Sequence, residues 1–199
     1  MIFDNLEQIE NKSFFAIIVG SGPAGISLAL KLEKKGYESL ILEAGSFESK
    51  IENEKYIDGE TVGDKYTDLK TARSREFGGT SSRWGGNCSI LKDEDFSEWP
   101  IKKKDLDIYA NEAREILNVR NDLYHNKFSE NLDYYNVEWS NVKFKDKYFN
   151  YIKNSKKIFL SLNTIFCDLH GEKGNIDKIR CFKNKFFFIK SKNVILSCG

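Results

Sequence analysis

The chain has 199 residues, 40% of them hydrophobic and 31% charged, the balance of a water-soluble protein able to bury a sizeable core as one domain or two small ones. Lys and Arg number 31 against 30 Asp and Glu, and the net charge of +1 excludes a general electrostatic pull toward nucleic acid or anionic lipid. No apolar run reaches the length of a membrane span, and the N-terminus lacks the basic-then-apolar order of a secretory signal.

The first apolar run is FFAIIVG, Phe14–Gly20, which predicts a strand. SGPAG follows, then ISLALKLEKKG, whose Ile26, Leu28, Ala29, Leu30 and Leu32 predict a helix stopped at Gly36. ESLILEAG, Glu38 to Gly45, predicts a second strand. Strand, glycine turn, helix and strand within about thirty residues make a βαβ unit with parallel strands. Residues 46–75 are polar and weakly patterned and read as a long surface excursion. FGGTSSRWGGN, Phe77 to Asn87, is dense in glycine and hydroxyls. After Pro100, the residues Leu106, Tyr109, Ala110, Ala113, Ile116 and Leu117 fall on one helical face. The stretch 118–154 has no clear assignment. From Lys157 the period shortens. KIFLSL, TIFCDL, IDKIRCF and KFFFIK predict an incoming strand and an antiparallel meander, with His170 in a turn, and NVILSC returns to the core as a buried parallel strand.

Gly20, Gly22 and Gly25 fit the pattern G-x-G-x-x-G, with Ser21, Pro23 and Ala24 between them. The context is complete: a strand before, a helix after, and an acid, Glu43, at the end of the next strand. Gly20 permits the tight turn, Gly22 lets a diphosphate approach bare backbone, and Gly25 lets helix and strand pack closely. The helix N-terminus presents unpaired N–H groups and roughly half a positive charge. Glu43, followed by Ala44, is placed to accept both hydroxyls of an adenosine ribose and to disfavour a 2′-phosphate. FAD and NAD both remain open at this point. The second glycine strip favours FAD, because an extended flavin dinucleotide needs backbone along its length and a nicotinamide dinucleotide usually does not.

VGSGPAGISLALKL…LILEAG, then R…FGGTSSRWGGN, then WPI…DL…YA, and a meander ending VILSCG together resemble the N-terminal FAD-binding part of the glucose–methanol–choline (GMC) family of oxidoreductases. The nearest branch is that of pyranose oxidases and bacterial sugar dehydrogenases. The resemblance is sharp at 14–45 and 77–88 and loose at 46–72 and 118–156. It implies an α/β, Rossmann-like FAD/NAD(P)-binding domain over 1–199, with a βαβ core at 14–45, a flavin strip at 77–88, a helical insertion at about 100–155, and a meander with return strand at 157–199. It implies cofactor contacts at Gly78, Gly79, Thr80, Ser81, Trp84, Gly85 and Asn87, at Ile165 beside the adenine, and at Gly199, besides those of the first motif. Where pyranose oxidases carry a histidine that bonds to the flavin, this chain has Arg83, so FAD is expected to be held non-covalently.

The reaction implied is oxidation of a CH–OH group of an alcohol or sugar, with hydride passing to flavin N5 and the proton to a histidine. GMC enzymes continue for several hundred residues beyond the glycine matching Gly199, so the chain reads as truncated, without a substrate domain and catalytically incomplete, with an open sheet edge prone to aggregation. His125 and His170 read as surface histidines, and no catalytic base is assigned. The four cysteines (Cys88, Cys167, Cys181, Cys198) form no CxxC pair, so reduced thiols in a cytoplasmic protein are expected, and no metal. Two other readings stay open: a nucleotide-binding remnant without redox chemistry, and an NAD-binding domain of another oxidoreductase.

Overall fold

The computed structural model describes residues 1–50, 55–119, 125–129, 132–135, 138–172 and 174–199, with backbone alone for 125–129 and 132–135. In chain order the elements are β1 (Ser13–Phe14), β2 (Ala16–Val19), α1 (Pro23–Lys34), β3 (Ser39–Leu42), α2 (Leu69–Ala72), β4 (Asn87–Cys88), α3 (Lys103–Asp107), α4 (Ala110–Leu117), β5 (His125–Ser129), β6 (Leu132–Tyr135), β7 (Glu138–Trp139), α5 (Phe144–Asn154), β8 (Ile158–Ser161), β9 (Ile165–Glu172), β10 (Asn175–Lys183), β11 (Lys185–Ser191) and β12 (Val194–Leu196). They divide into two compact units, one of residues 1–83 and 143–199 and one of residues 84–142. Among the described residues no helix is long and apolar enough to cross a membrane.

The first unit holds two four-stranded sheets. One is parallel throughout, in the order β12-β2-β3-β8. Every residue of β2, β3 and β8 is buried, which is why these segments are unbroken apolar runs rather than alternating ones. Helix α1 connects β2 to β3 and buries Gly25, Ile26 and Ala29. It starts with Gly22 as N-cap and Pro23 in its first turn, where the missing N–H costs nothing. It ends where Gly36 turns left-handed at φ +85°, with the Gly36 N–H on the Glu33 carbonyl and the Tyr37 N–H on that of Leu32. The second sheet runs β1-β11-β10-β9, with β9 to β11 an antiparallel meander and β1 parallel to β11. The core lies where side chains of both sheets meet: Ile17, Leu40 and Phe159 against Ile179, Phe187 and Ile189. Burial pushes the thiol of Cys181, in the same cluster, up to about 12.

Several expectations change. The run Phe14–Gly20 is two strands in two different sheets, with Phe15 between them. The N-terminal segment packs Phe3, Leu6 and Ile9 into the core, and the Phe3 N–H reaches the Leu160 carbonyl at 2.8 Å along the free side of β8. Strand β12 is parallel, as expected, but it lies at the sheet edge with β2 as its one neighbour, and Leu196 is 60% exposed rather than buried. His170 lies within β9, opposite Lys178, and not in a turn.

The second unit contains α3 and α4, the two-stranded ladders β4-β7 and β5-β6, and a short 3-10 turn at Asp93–Phe96. The single helix predicted after Pro100 is broken at Ile108–Tyr109, and Ile108 is 73% exposed. Arg114 of α4 pairs with Glu138 of β7 at 2.8 Å, and both side chains are largely buried. The side chain of His125 lies outside the described residues.

Close packing at the start of α1 gives a test. A Cβ added at Gly25 would stand 2.1 Å from the Gly20 carbonyl oxygen, whereas one at Gly36 meets nothing. Gly25→Ala is expected to lower the unfolding free energy in urea by about 2–3 kcal/mol, and Gly36→Ala by about 1 kcal/mol, from the left-handed backbone alone.

Candidate dinucleotide-binding site

The first unit carries a cleft of about 780 Å³ at the carboxyl ends of β2 and β3. This is where ligands bind in parallel α/β sheets, just outside the strand ends. The turn from β2 into α1 forms its floor. Gly20 stands at φ +102°, and a Cβ there would lie 2.6 Å from the Ser197 carbonyl oxygen, so a side chain is excluded both by backbone conformation and by space. Gly22 is different. Its backbone is extended, and a Cβ built on it meets nothing within 4 Å. The first N–H groups of α1 therefore face an open cradle that any side chain would fill.

The second glycine strip meets the first at this point, although Gly22 and Gly79 are 57 positions apart in the chain. A Cβ on Gly79 would lie 3.0 Å from the Gly22 α-carbon. The Gly78 N–H contacts Ser21 twice, at 3.1 Å to its carbonyl and 3.3 Å to its hydroxyl. Ser21 Oγ in turn donates to Glu43 Oε2 at 2.6 Å. Glu43 also accepts the Ser21 N–H at 3.0 Å on Oε2 and the Gly45 N–H at 2.7 Å on Oε1. A carboxylate has about four acceptor positions, and three are taken by the protein. The expectation that Glu43 accepts both ribose hydroxyls thus meets a carboxylate already engaged by three protein donors, two on Oε2 and one on Oε1.

Of the expected contacts, Gly20, Ser21, Gly22, Pro23, Ala24, Glu43, Ala44, Gly79, Thr80 and Gly199 all line this cleft. Gly25 lies behind it, pressed between α1 and β2. Gly78 and Ser81 do not line it but hold the strip in place: Ser81 Oγ donates to the Gly78 carbonyl at 2.7 Å and accepts the Phe144 N–H, at the start of α5, at 3.2 Å. Ile165 does not line it either. At β9 the wall is made by Thr164 and Phe166, on the opposite parity from Ile165. Trp84, Gly85 and Asn87 belong to the second unit, where the Trp84 indole N–H bonds to the Val142 carbonyl at 3.0 Å and Asn87 pairs with Trp139. Cys88 is there too, its thiol raised by burial. Exposed Arg83 donates to the Lys70 carbonyl at 2.5 Å.

Sequence reading missed the wall contributed by the long excursion: Tyr56, Ile57, Arg73 and Arg75 also line the cleft. Its base is a buried carboxylate, Glu76, 3% exposed, beside Ser46. Ser74 Oγ donates to it at 2.5 Å, the Ser49 N–H at 3.1 Å, and Lys145 of α5 lies 3.3 Å away. Burial pushes the Glu76 carboxyl upward, but the Ser74 hydroxyl and the Lys145 charge outweigh it and hold the group below the ordinary value of 4.5.

The NAD(P)-binding Rossmann-like domain model matches residues 18–47, the βαβ unit. Among solved structures, 338 chains match. Pyridoxine 4-oxidase from Mesorbium loti is similar over 92% of this chain at 14% identity, with a TM-score of 0.61. The match covers 49% of that enzyme, so the chain spans about half its length. A search of curated proteins finds no match. The architecture is thus a Rossmann-like α/β fold. The likeness to that enzyme is one of fold, and it extends across nearly the whole chain.

The Glu76 cluster gives a second test. Its folded-state pKa is depressed, so its contribution is present above about pH 4.5 and drains as pH falls through the folded-state value. Glu76→Gln is expected to cost about 1–3 kcal/mol at neutral pH, and the gap to wild type should narrow in chemical denaturation as pH drops from 5 toward 3, about the range over which a paired carboxylate is protonated.

Proposed function

We propose that this chain is the FAD-binding portion of a flavin-dependent oxidoreductase of the GMC type, acting on the CH–OH group of an alcohol or sugar. The observation that carries this reading is the meeting of two glycine motifs, at Gly22 and Gly79, on the floor of one cleft. A diphosphate needs the open backbone at Gly22, and an extended dinucleotide needs the second strip alongside it. Bound there, the flavin would supply the acceptor for hydride from the alcohol carbon. The chain's own residues hold and orient it: the α1 N-terminus at the diphosphate, the remaining Glu43 acceptor position at the ribose, and Thr164 and Phe166 at the wall. Arg83 in place of the flavin-linking histidine supports non-covalent binding.

The matched enzyme is about twice as long as this chain, so we place the substrate-binding and proton-accepting residues in a further C-terminal half and assign no base among the residues here. The free thiols support a cytoplasmic setting. An NAD(P)-binding domain of another oxidoreductase is the second reading, favoured by the family model at residues 18–47.

Purified protein, as isolated or after incubation with FAD and desalting, is expected to carry a visible flavin spectrum and to melt higher with FAD, by the equivalent of about 2.7 kcal/mol at a hundredfold excess over Kd. Gly22→Val should abolish both while leaving the apo melting temperature within a few degrees. A colourless protein stabilised by NAD or NADP but not FAD would overturn the flavin reading.

A further inference from the structure

The cleft has a charge problem. A dinucleotide brings two negative charges on its diphosphate, and Glu43 adds a third group of the same sign to the same cavity. The α1 N-terminus offsets about half a charge. The cleft residues that carry a full positive charge are Arg73 and Arg75. Among the described residues no carboxylate pairs with either guanidinium, in a chain where arginines 114 and 180 both have acid partners. The Arg75 guanidinium stands over the Tyr56 ring, 4.1 Å from its centroid, a contact that orients the group without neutralising it.

The backbone that presents them is fixed. The Arg75 carbonyl is pressed against Gly45, where a Cβ would stand 2.1 Å away. The next residue, Glu76, is buried and hydrogen-bonded to Ser74. Arg73, Ser74 and Arg75 all line the cleft, and the Ser74 hydroxyl also donates to the buried carboxylate.

We infer that Arg73 and Arg75 form an anion wall that neutralises the phosphates of the bound nucleotide, with the Tyr56 ring holding Arg75 in place. The inference rests on the dinucleotide reading above and adds to it which side chains supply the counter-charge. The test measures binding of ADP, adenosine and FAD to wild type, R73Q, R75Q, the double variant and R75K by calorimetry at two salt concentrations. Each single Gln variant is expected to weaken ADP and FAD about tenfold and the double about a hundredfold, with a shallower salt dependence and with adenosine within about twofold of wild type. R75K should keep most of the ADP affinity, because it keeps the charge. Arg73 is exposed and Arg75 half-buried, so the apo melting temperature should not move. A double variant that binds ADP as wild type does overturns the inference, and so does an equal loss for adenosine and ADP, which would make the pair a base contact. Wild type that binds neither ADP nor FAD overturns the dinucleotide reading, and this inference with it.

Discussion

A three-member hydrogen-bond chain organises this molecule: Gly78 N–H to Ser21 Oγ, and Ser21 Oγ–H to the Glu43 carboxylate. Each member comes from a different segment: the second glycine strip, the turn before α1, and the end of β3. All three are buried, so each polar group depends on the others for satisfaction. Loss of one partner would leave a charge or a dipole in a dry interior. The same chain sets the shape of the cleft, because it fixes the separation between the floor at Gly22 and the wall at Glu43. It also uses most of the Glu43 acceptor capacity, which makes that residue as much a structural strut as a ligand contact.

A second buried carboxylate does comparable work one layer out. Glu76 ties the end of the excursion to Ser49 and, through Lys145, to α5. Lys145 also reaches Glu48, and its pKa rises chiefly through that hydrogen bond, with Glu76 adding to it against the effect of burial. This arrangement turns a polar, weakly patterned segment into a defined wall. Lys145 is distant in sequence from both Glu48 and Glu76, so these ion pairs join the two ends of the excursion to α5.

The sheets, α1 and the glycine turn were legible in the sequence because they depend on local regularities: apolar runs, a proline and glycine at helix ends, and fixed motif spacing. What was missed depends on long-range packing. Nothing local in RSR says that it lines a cleft; its backbone is set by Gly45 and Glu76, which lie beside it. The choice of Thr164 and Phe166 over Ile165 is a matter of strand parity, which shifts with one residue of register. The helix after Pro100 has a continuous apolar face in sequence, yet the chain breaks at Ile108–Tyr109, where no propensity rule requires it. The strand at Val194–Leu196 reads as interior by composition, but composition does not say whether a strand has one neighbour or two.

The two sheets share backbone at two places. Phe15 alone separates β1 from β2, and two residues separate β11 from β12, so one pair of neighbouring segments crosses from sheet to sheet side by side. Neither sheet can slide or open without dragging the other. Because β12 runs on into Ser197, whose N–H bonds to the Val19 carbonyl and whose own carbonyl abuts Gly20, the meander and the glycine turn are joined through continuous backbone. Amide protons on the two sides of this shared crossing are therefore expected to exchange together rather than in separate blocks.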